Sequence, residues 1–172
     1  MINQGNFSVL LSVYHKEYPN FLKAALKSIW EEQELKPSEI IIVEDGPLSQ
    51  ELENVISEFS SGKPIHSIKL QENQGLGAAL RIGVEKSSND IIARMDTDDI
   101  SKPDRFRKQF EYLENNKDCH LVGSWIEIFE DSIDKIQTVK KLPYKHEEII
   151  SFLKYRCPFN HPTVMFRREA VL

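Results

Sequence analysis

Short apolar runs alternate with longer segments of helical periodicity along the first two thirds of the chain. Runs bounded by polar residues, such as FSVLLSV at 7–13 and EIIIVE at 39–44, are typical of buried parallel strands. Between them, residues 19–32 carry apolar side chains at helical spacing, which predicts an amphipathic helix. The full alternation predicts strands at 7–13, 39–44, 65–70 and 90–95 and helices at 19–32, 49–59, 75–86 and 103–115.

This order of elements predicts an α/β fold with a mostly parallel sheet and helices on both faces. The pattern changes after Asn116, where we expect a longer strand at 120–129, a helix at 145–155 and a last strand at 163–167. The sequence stops at Leu172, soon after that last strand, so we expect residues 1–172 to be one domain cut from a longer protein.

Composition and charge narrow the functional classes. With 172 residues, 40% hydrophobic and 28% charged, the chain has the composition of a soluble globular domain. Its net charge of −5 argues against a nucleic-acid-binding protein that relies on bulk positive charge. Cys119 and Cys157 have no metal-ligand spacing, and the N-terminus lacks a signal peptide, so we expect reduced thiols in the cytoplasm. No stretch reaches the roughly 18 apolar residues of a membrane helix.

Three carboxylates, those of Asp96, Asp98 and Asp99, follow directly after the strand predicted at 90–95. Ligands of α/β sheets bind beyond the carboxyl ends of the strands, and neighbouring acids repel one another unless a cation lies among them. A hard divalent cation, which completes its ligands with water and substrate phosphates, would relieve that repulsion. A solvated acidic turn ahead of the helix near Pro103 is the alternative, because negative charge is favourable at a helix N-terminus.

The ends of the first two strands converge on the same edge of the predicted sheet. An aromatic ring, a carboxylate and a metal-type acidic cluster together suit a nucleoside diphosphate. Tyr14 can pack on the base, and Asp45 can accept a hydrogen bond from base or ribose. Taken singly, Tyr14 is a strand-end packing residue and Asp45, which precedes Gly46, is a turn former. The polar or aromatic residues brought to this edge are Ser12, Tyr14, His15, Glu17, Glu44 and Asp45.

Four segments in this order resemble the nucleotide-sugar half of inverting family 2 glycosyltransferases, which have the GT-A fold. They are FSVLLSVYHKE at 7–17, IIIVEDG at 40–46, NQGLGAALRIG at 73–83 and IARMDTDDISKPDRF at 92–106. The form ARMDTDDIS, together with PFNHPT at 158–163, is similar to enzymes that build bacterial O-antigen and exopolysaccharide repeat units. That subgroup often adds a hexose to a sugar carried on a polyprenyl diphosphate.

The resemblance implies a Rossmann-like GT-A sheet, a UDP-sugar donor and a Mn²⁺ or Mg²⁺ ion held by Asp98 and Asp99. It implies that Ser12 and Tyr14 line the base pocket and that Asp45 contacts uracil or ribose. The sugar is left open between galactose and glucose. The implied nucleotide-sugar-binding set is Ser12, Tyr14, Glu17, Asp45, Arg81, Asp96 and Thr97.

Two of the implied site residues have a plainer alternative. Arg81 stands where many members of the family have Asn, so it is either a diphosphate or ribose contact or a surface cation on a solvated helix face. His161 falls in a loop expected on the acceptor side, and its alternative is a buried, hydrogen-bonded histidine.

The resemblance also implies a single displacement with inversion at the anomeric carbon. In this family the general base lies in an acidic motif downstream of the strand that matches residues 163–167, so we expect the base of this protein to lie beyond Leu172. Residues 1–116 are then the nucleotide-binding half and 117–172 the start of the acceptor half. The acceptor is expected to be a lipid-linked saccharide, with the protein peripheral to the inner face of the membrane. Truncation after Leu172 is expected to uncover apolar surface near Val164, Met165 and Phe166 and to promote self-association.

Two other functional classes stay open on the sequence. Gly75-Leu76-Gly77, with Asp96 further on, mimics the dinucleotide-binding fingerprint of oxidoreductases. That match fails at the third glycine, where Leu80 stands, and it leaves Asp98 and Asp99 unexplained. The other class is a non-catalytic module that keeps a nucleotide-sugar pocket without turnover.

Overall fold

The computed structural model describes residues 4–130 and 133–172, which form eight strands and five α-helices. Two short 3₁₀ turns, His161–Thr163 and Arg168–Ala170, flank the last strand. The strands are β1 Gln4–Val13, β2 Lys36–Glu44, β3 Ile65–Lys69, β4 Ile91–Arg94, β5 Leu121–Val122, β6 Ile126–Phe129, β7 Ile136–Lys140 and β8 Met165–Arg167. The helices are α1 Pro19–Trp30, α2 Gln50–Ser60, α3 Leu76–Lys86, α4 Arg105–Asn115 and α5 His146–Leu153.

The central sheet has six strands in the order β3-β2-β1-β4-β8-β5. The pairs β1–β2, β1–β4 and β2–β3 are parallel, whereas β8 is antiparallel to both β4 and β5. The predicted α/β fold with a mostly parallel sheet is therefore confirmed. The strand order reverses between β1 and β4, which is where α/β sheets bind their ligands.

Helices cover both faces of the sheet and define two apolar clusters. On one face α1, α2 and α4 pack on residues such as Phe7 and Leu11, and on the other face α3 packs on Leu10 and Ile41. Helix α3 lies very close to β1 at Gly83, where an added Cβ would be 2.2 Å from Leu10 Cδ1. The close approach packs the last turns of α3 tightly on β1.

The predicted single strand at 120–129 is wrong, because the structure divides it into β5 and β6, which belong to different sheets. At the break, the Ser124 backbone N–H donates to Thr163 Oγ1 at 3.0 Å, and Asn160 Nδ2 donates to the Ser124 carbonyl at 2.9 Å. These contacts take the backbone groups that a continuous ladder would use. Strand β6 pairs instead with β7, which the sequence analysis did not predict.

The last predicted strand begins later than expected, since residues 161–163 form a 3₁₀ turn ahead of β8. The expectation of uncovered apolar surface at Val164, Met165 and Phe166 is also wrong, because all three are buried. Strand β8 lies between β4 and β5, so that Met165 faces one apolar cluster while Val164 and Phe166 face the other.

The apolar side chains exposed after β8 are instead those of Val171 and Leu172. They follow the 3₁₀ turn Arg168–Ala170, and their exposed fractions are 53% and 70%. They lie beyond the strand, where the sheet offers no neighbour to cover them. The helices of the described residues are all too short to span a bilayer.

Candidate functional site at the carboxyl edge of the sheet

The ends of β1, β2 and β4 are joined directly to one another at the carboxyl edge of the sheet. The Asp45 backbone N–H donates to the Val13 carbonyl at 2.7 Å, and the Met95 backbone N–H donates to the Leu10 carbonyl at 3.0 Å. The side chains that follow these strands therefore share one edge, as the sequence predicts.

Asp96, Asp98 and Asp99 form a compact carboxylate cluster at this edge, with one oxygen from each within 4.8 Å of the others. Asp96 and Asp99 are half-buried and Asp98 is exposed. Burial raises the pKa of Asp99, and the negative charges of Asp96 and Asp98 raise it further. Closely spaced carboxylate oxygens, one of them open to solvent, are the donor set that a hard divalent cation requires. The residues present therefore fit such an ion.

A buried arginine lies beneath the cluster and pairs with one of its three acids. Arg94, the last residue of β4, is only 3% exposed, and its Nη2 contacts Asp96 Oδ1. Its Nε and Nη1 have no hydrogen-bond partner among the described residues. The attraction between the buried guanidinium and the carboxylate holds Asp96 in place. Asp98 and Asp99 have no such contact with Arg94, and their role as metal ligands stays a prediction.

A second arginine, Arg105 at the start of α4, supports the same strand end. Its Nη2 donates to the Arg94 carbonyl at 2.8 Å, and its Nε donates to Gln109 Oε1 at 3.1 Å. Burial lowers the pKa of Arg105 to about 9, opposed by the nearby negative charge of Asp99. Gln109 Nε2 in turn donates to the Thr163 carbonyl at 2.8 Å, so α4 ties the loop before β8 to the acidic cluster.

Glu17 and Thr97 lie beside the cluster on its β1 side. Burial raises the pKa of Glu17, the hydrogen bond from the Thr97 side chain opposes the rise, and the charges of Asp98 and Asp96 add to it. Thr97 is buried between the first and second acids. The structure therefore brings both predicted residues to the acidic cluster.

Asp45 organises the loop that faces the end of β1. It is 2% exposed, and its two carboxylate oxygens accept the backbone N–H groups of Gln74 at 2.7 Å and Gly75 at 3.0 Å. The adjoining Gly46 has φ +86°, and a Cβ there would lie 2.7 Å from the Asn73 nitrogen. Asp45 therefore holds a loop distant in sequence, rather than only the turn at Gly46. Each oxygen keeps a second lone pair for a ligand.

The remaining predicted residues lie at the margin of the site. Tyr14 is 38% exposed just after β1, and Ser12 is partly buried within that strand. Arg81 lies on the exposed face of α3 and pairs with Glu85 at 3.2 Å. Partial burial and the positive charge of Arg94 lower the pKa of His161, while Asp96 opposes them, so His161 is close enough to sense the cluster.

Glu44 points away from the cluster, toward β3. Its carboxylate accepts the Ser67 hydroxyl and contacts Lys69 Nζ at 3.3 Å. Asp45, the next residue, faces the opposite way, as expected for successive residues at a strand end.

The general base predicted beyond Leu172 lies outside the described residues, so its position stays a prediction. Among the described residues, Glu17 interacts electrostatically with Asp96 and Asp98, and Asp45 lies at the neighbouring end of β2. Both already have partners, since Glu17 interacts with Thr97 and Asp45 holds the loop at 73–75.

The sequence analysis missed Arg94, Arg105 and Asn160 as components of the site. Arg94 gave a signal, because a charged residue inside the otherwise apolar run IIARM must find a partner where it is buried. Arg105 and Asn160 gave none, since their contacts depend on how α4 and the loop before β8 are placed.

Comparisons with known proteins agree with this architecture. The model of the family described as glycosyl transferase family 2 matches residues 8–172. The chain is 39% identical over 166 residues to the amylovoran biosynthesis glycosyltransferase AmsE of Erwinia amylovora, covering 96% of this chain and 61% of the relative. It is 38% identical over 166 residues to the UDP-Gal:alpha-D-GlcNAc-diphosphoundecaprenol beta-1,3-galactosyltransferase of Escherichia coli, covering 96% and 60%. The chain thus spans about 60% of the length of these relatives.

Solved structures show the same fold at low sequence identity. A mannosyltransferase from Pyrobaculum calidifontis, in complex with GDP-Man and Mn²⁺, superposes with a TM-score of 0.64 at 14% identity, covering 95% of this chain and 45% of that one. Residues 1–349 of TarS from S. aureus superpose with a TM-score of 0.66 at 15% identity, covering 95% and 47%. The chain has the GT-A fold and belongs to glycosyl transferase family 2.

Proposed function

We propose that the chain is the donor-binding part of a glycosyltransferase that takes a hexose from a UDP-sugar and transfers it, with inversion, to a saccharide of a bacterial surface polysaccharide. The observation that carries the proposal is the carboxylate cluster at the point where the strand order reverses, with one acid already paired to Arg94. The names of the relatives from Erwinia amylovora and Escherichia coli support polysaccharide synthesis and a UDP-sugar donor.

The donor would lie across the ends of β1, β2 and β4. Tyr14 and Ser12 would border the base, and Asp45, with its spare lone pairs, would accept from uracil or ribose. Asp96 is held by Arg94 and would accept from the ribose rather than coordinate a metal. In this arrangement Asp96 would pair with Arg94, and Asp98 and Asp99 would pair with the metal ion. No carboxylate would then be left without a positive partner.

The diphosphate would lie over Asp98 and Asp99, where a bare anion would be repelled. When bound there, Mn²⁺ or Mg²⁺ would offset the negative charge of the diphosphate and of the departing nucleotide. The presence of Mn²⁺ in the Pyrobaculum calidifontis complex supports this proposal. Arg105 donates to the backbone carbonyl of Arg94, and Arg94 contacts the Asp96 carboxylate, so the end of β4 that leads into the two aspartates would be positioned before the donor arrives.

The acceptor would approach from the loop that contains His161. This loop is tied to the β5–β6 break by Asn160 and Thr163 and to α4 by Gln109. The base that takes the proton from the acceptor hydroxyl would come from a segment beyond Leu172. The name of the Escherichia coli relative contains a diphosphoundecaprenol acceptor, which supports a lipid-linked acceptor here and a place at the inner face of the cell membrane.

Calorimetry with UDP-galactose and UDP-glucose tests the proposal, each titrated with Mn²⁺ and with chelator. We expect tighter binding with metal, loss of most of that gain in Asp98→Asn, and weaker binding of ADP and GDP. Glu111→Asn, on an exposed part of α4, is the matched control and should behave as the wild type. Equal affinity with and without metal would refute the metal-dependent donor site.

A further inference from the structure

Residues 136–156 form a surface that is apolar, aromatic and almost completely open. Every residue of β7 is exposed, and no residue of α5 is buried. Tyr144 and Tyr155 are 72% and 85% exposed. Isolated exposed apolar residues are ordinary, but a contiguous group of them indicates a binding surface. The large exposed apolar side chains of this segment are Ile136, Val139, Tyr144, Ile150, Leu153 and Tyr155.

The stretch that links β7 to α5 is anchored to β6 and lies beside the end of α5. Trp125 Nε1, at the start of β6, donates to the Leu142 carbonyl at 2.8 Å, which anchors the stretch between β7 and α5. Pro143 then lines a shallow open cavity together with Phe152 and Tyr155 of the α5 end. We call residues 136–156 together the basic–apolar face.

The basic–apolar face is positive on a protein that is negative overall. It carries five Lys or Arg residues and two Glu, whereas the whole chain has a net charge of −5. Its cations lie beside aromatic rings: Lys141 Nζ is 5.1 Å from the ring centroid of Trp125, and Arg156 is 5.8 Å from that of Phe152. Aromatic rings next to Lys and Arg suit the boundary between a hydrocarbon layer and its charged headgroups.

We propose that the basic–apolar face docks on the surface of an anionic phospholipid bilayer. Lys and Arg near such a surface are attracted to its negative charge, and exposed apolar side chains add to the binding by entering the headgroup layer. A second copy of the chain fits this face poorly, because a two-fold contact would bring its positive charges against the same charges of the partner. Charge complementarity therefore selects the anionic lipid.

Docking on this face would bring the candidate site to the membrane. Lys102, in the loop after the acidic cluster, pairs with Glu127 of β6 at 2.6 Å. Ser124, just before β6, is bonded to Thr163 in the loop of His161. Strand β6, which pairs with β7 of the face, and the residue just before it are thus bonded to both loops that border the cluster. In this respect the inference deepens the proposed function, on which it rests for the lipid-linked acceptor.

Co-sedimentation with vesicles tests the docking. The wild-type chain should sediment with vesicles of one part phosphatidylglycerol to three parts phosphatidylcholine, but not with phosphatidylcholine alone, and high salt should weaken the binding. Lys140→Gln/Lys145→Gln/Lys154→Gln should bind about tenfold to a hundredfold more weakly, on the scale of three surface lysines. Lys23→Gln/Lys86→Gln/Lys117→Gln, away from the face, is the matched control and should bind as the wild type.

The apolar part is tested by Ile150→Ser/Leu153→Ser, which should lose the binding that persists at high salt. Failure of the wild type to bind anionic vesicles, or equal binding by the two lysine variants, would overturn the proposal. The proposal would also be overturned if the wild type formed a concentration-dependent dimer that only the variants of the basic–apolar face failed to form. That result would assign the face to a second copy of the chain. UDP affinity, measured on the same variants, should stay unchanged. If the wild type does not bind UDP, the proposed donor site is refuted, but the vesicle measurement still tests the docking.

Discussion

The guanidinium of Arg94 contacts the carboxylate of Asp96, so the first acid of the cluster is paired from below while Asp98 faces solvent. The pair divides three chemically identical side chains into two kinds. One is fixed by a buried cation, and the others remain available to a ligand. The three acids therefore differ in what they contribute to stability, as well as in the binding roles that we propose for them.

Asp96→Asn should lower the free energy of unfolding by about 1–3 kcal/mol, because it leaves the buried charge of Arg94 without its counter-ion. Loss of one partner of a buried pair typically costs about 3–5 kcal/mol, and the smaller figure allows for the exposed third of Asp96. Asp98→Asn should change stability by less than about 0.5 kcal/mol, since it removes an exposed, repelled charge. Urea denaturation without metal measures both. Equal losses in the two variants would contradict the pairing.

Asp99→Asn should stabilise the metal-free protein at neutral pH. The folded environment raises the pKa of Asp99 through burial and through Asp96 and Asp98. A raised carboxyl pKa contributes stability that is present below the unfolded pKa of about 3.9 and is lost as the pH rises through the folded value. The neutral amide keeps that stability, so the advantage of the variant should disappear as the pH falls toward about 3.5. The positive charge of Arg105 opposes this rise, but the net shift of the Asp99 pKa is still upward.

Asp104→Asn is the matched control for Asp99→Asn, and its effect on stability at neutral pH should have the opposite sign. The hydrogen bond from Lys108 lowers the pKa of Asp104, so its contribution is present above the unfolded pKa and is lost on acidification. Thermal unfolding from neutral to acidic pH measures both variants. A stabilising effect of Asp99→Asn that persists unchanged at acidic pH would mean that its cause is not the carboxylate charge.

The sequence predicted the elements that depend on local periodicity. The first four strands and the first four helices all exist, with ends shifted by a few residues, because each repeats its apolar positions over a full element. The carboxyl-edge cluster followed from the same pattern, since Asp96, Asp98 and Asp99 directly follow an apolar strand.

What the sequence did not predict depends on contacts between distant segments. The break at Ser124 and the burial of Val164 and Phe166 follow from the loop of Asn160 and from the insertion of β8 between two other strands. Such pairings join residues that no local period connects.

Gly83→Ala should destabilise the protein by about 1–3 kcal/mol, although alanine forms helix better than glycine by about 1 kcal/mol. The clash decides the sign, because the new Cβ would lie 2.2 Å from Cδ1 of Leu10, and this buried side chain would have to shift or push α3 away from β1. Gly77→Ala, in the same helix with nothing within 4 Å, is the matched control and should stabilise by about 0.5–1 kcal/mol. Urea denaturation measures both, and a stabilised Gly83→Ala would mean that α3 lies farther from the sheet.

Asp45→Asn separates the two roles of the residue at the end of β2. An amide can accept only through its oxygen, so its NH₂ group would face the backbone N–H of either Gln74 or Gly75. A buried donor left in this way costs about 1–3 kcal/mol, and we expect that loss in the free energy of unfolding. Asn73→Ala is the matched control, because it removes the 3.2 Å bond from Asn73 Nδ2 to the Asp45 carbonyl and leaves the carboxylate intact.

Nucleotide selectivity then shows whether Asp45 also contacts the ligand. A carboxylate directed at uracil favours UDP over ADP, because a base of the wrong shape leaves a polar group of the site unpaired. Asp45→Asn should therefore reduce the ratio of UDP to ADP affinity by about tenfold, the equivalent of 1.4 kcal/mol, whereas Asn73→Ala should leave the ratio unchanged. Calorimetry with both nucleotides in the presence of Mn²⁺ measures it. If Asp45→Asn is destabilised but keeps the wild-type ratio of UDP to ADP affinity, the role of Asp45 is limited to holding the loop at 73–75.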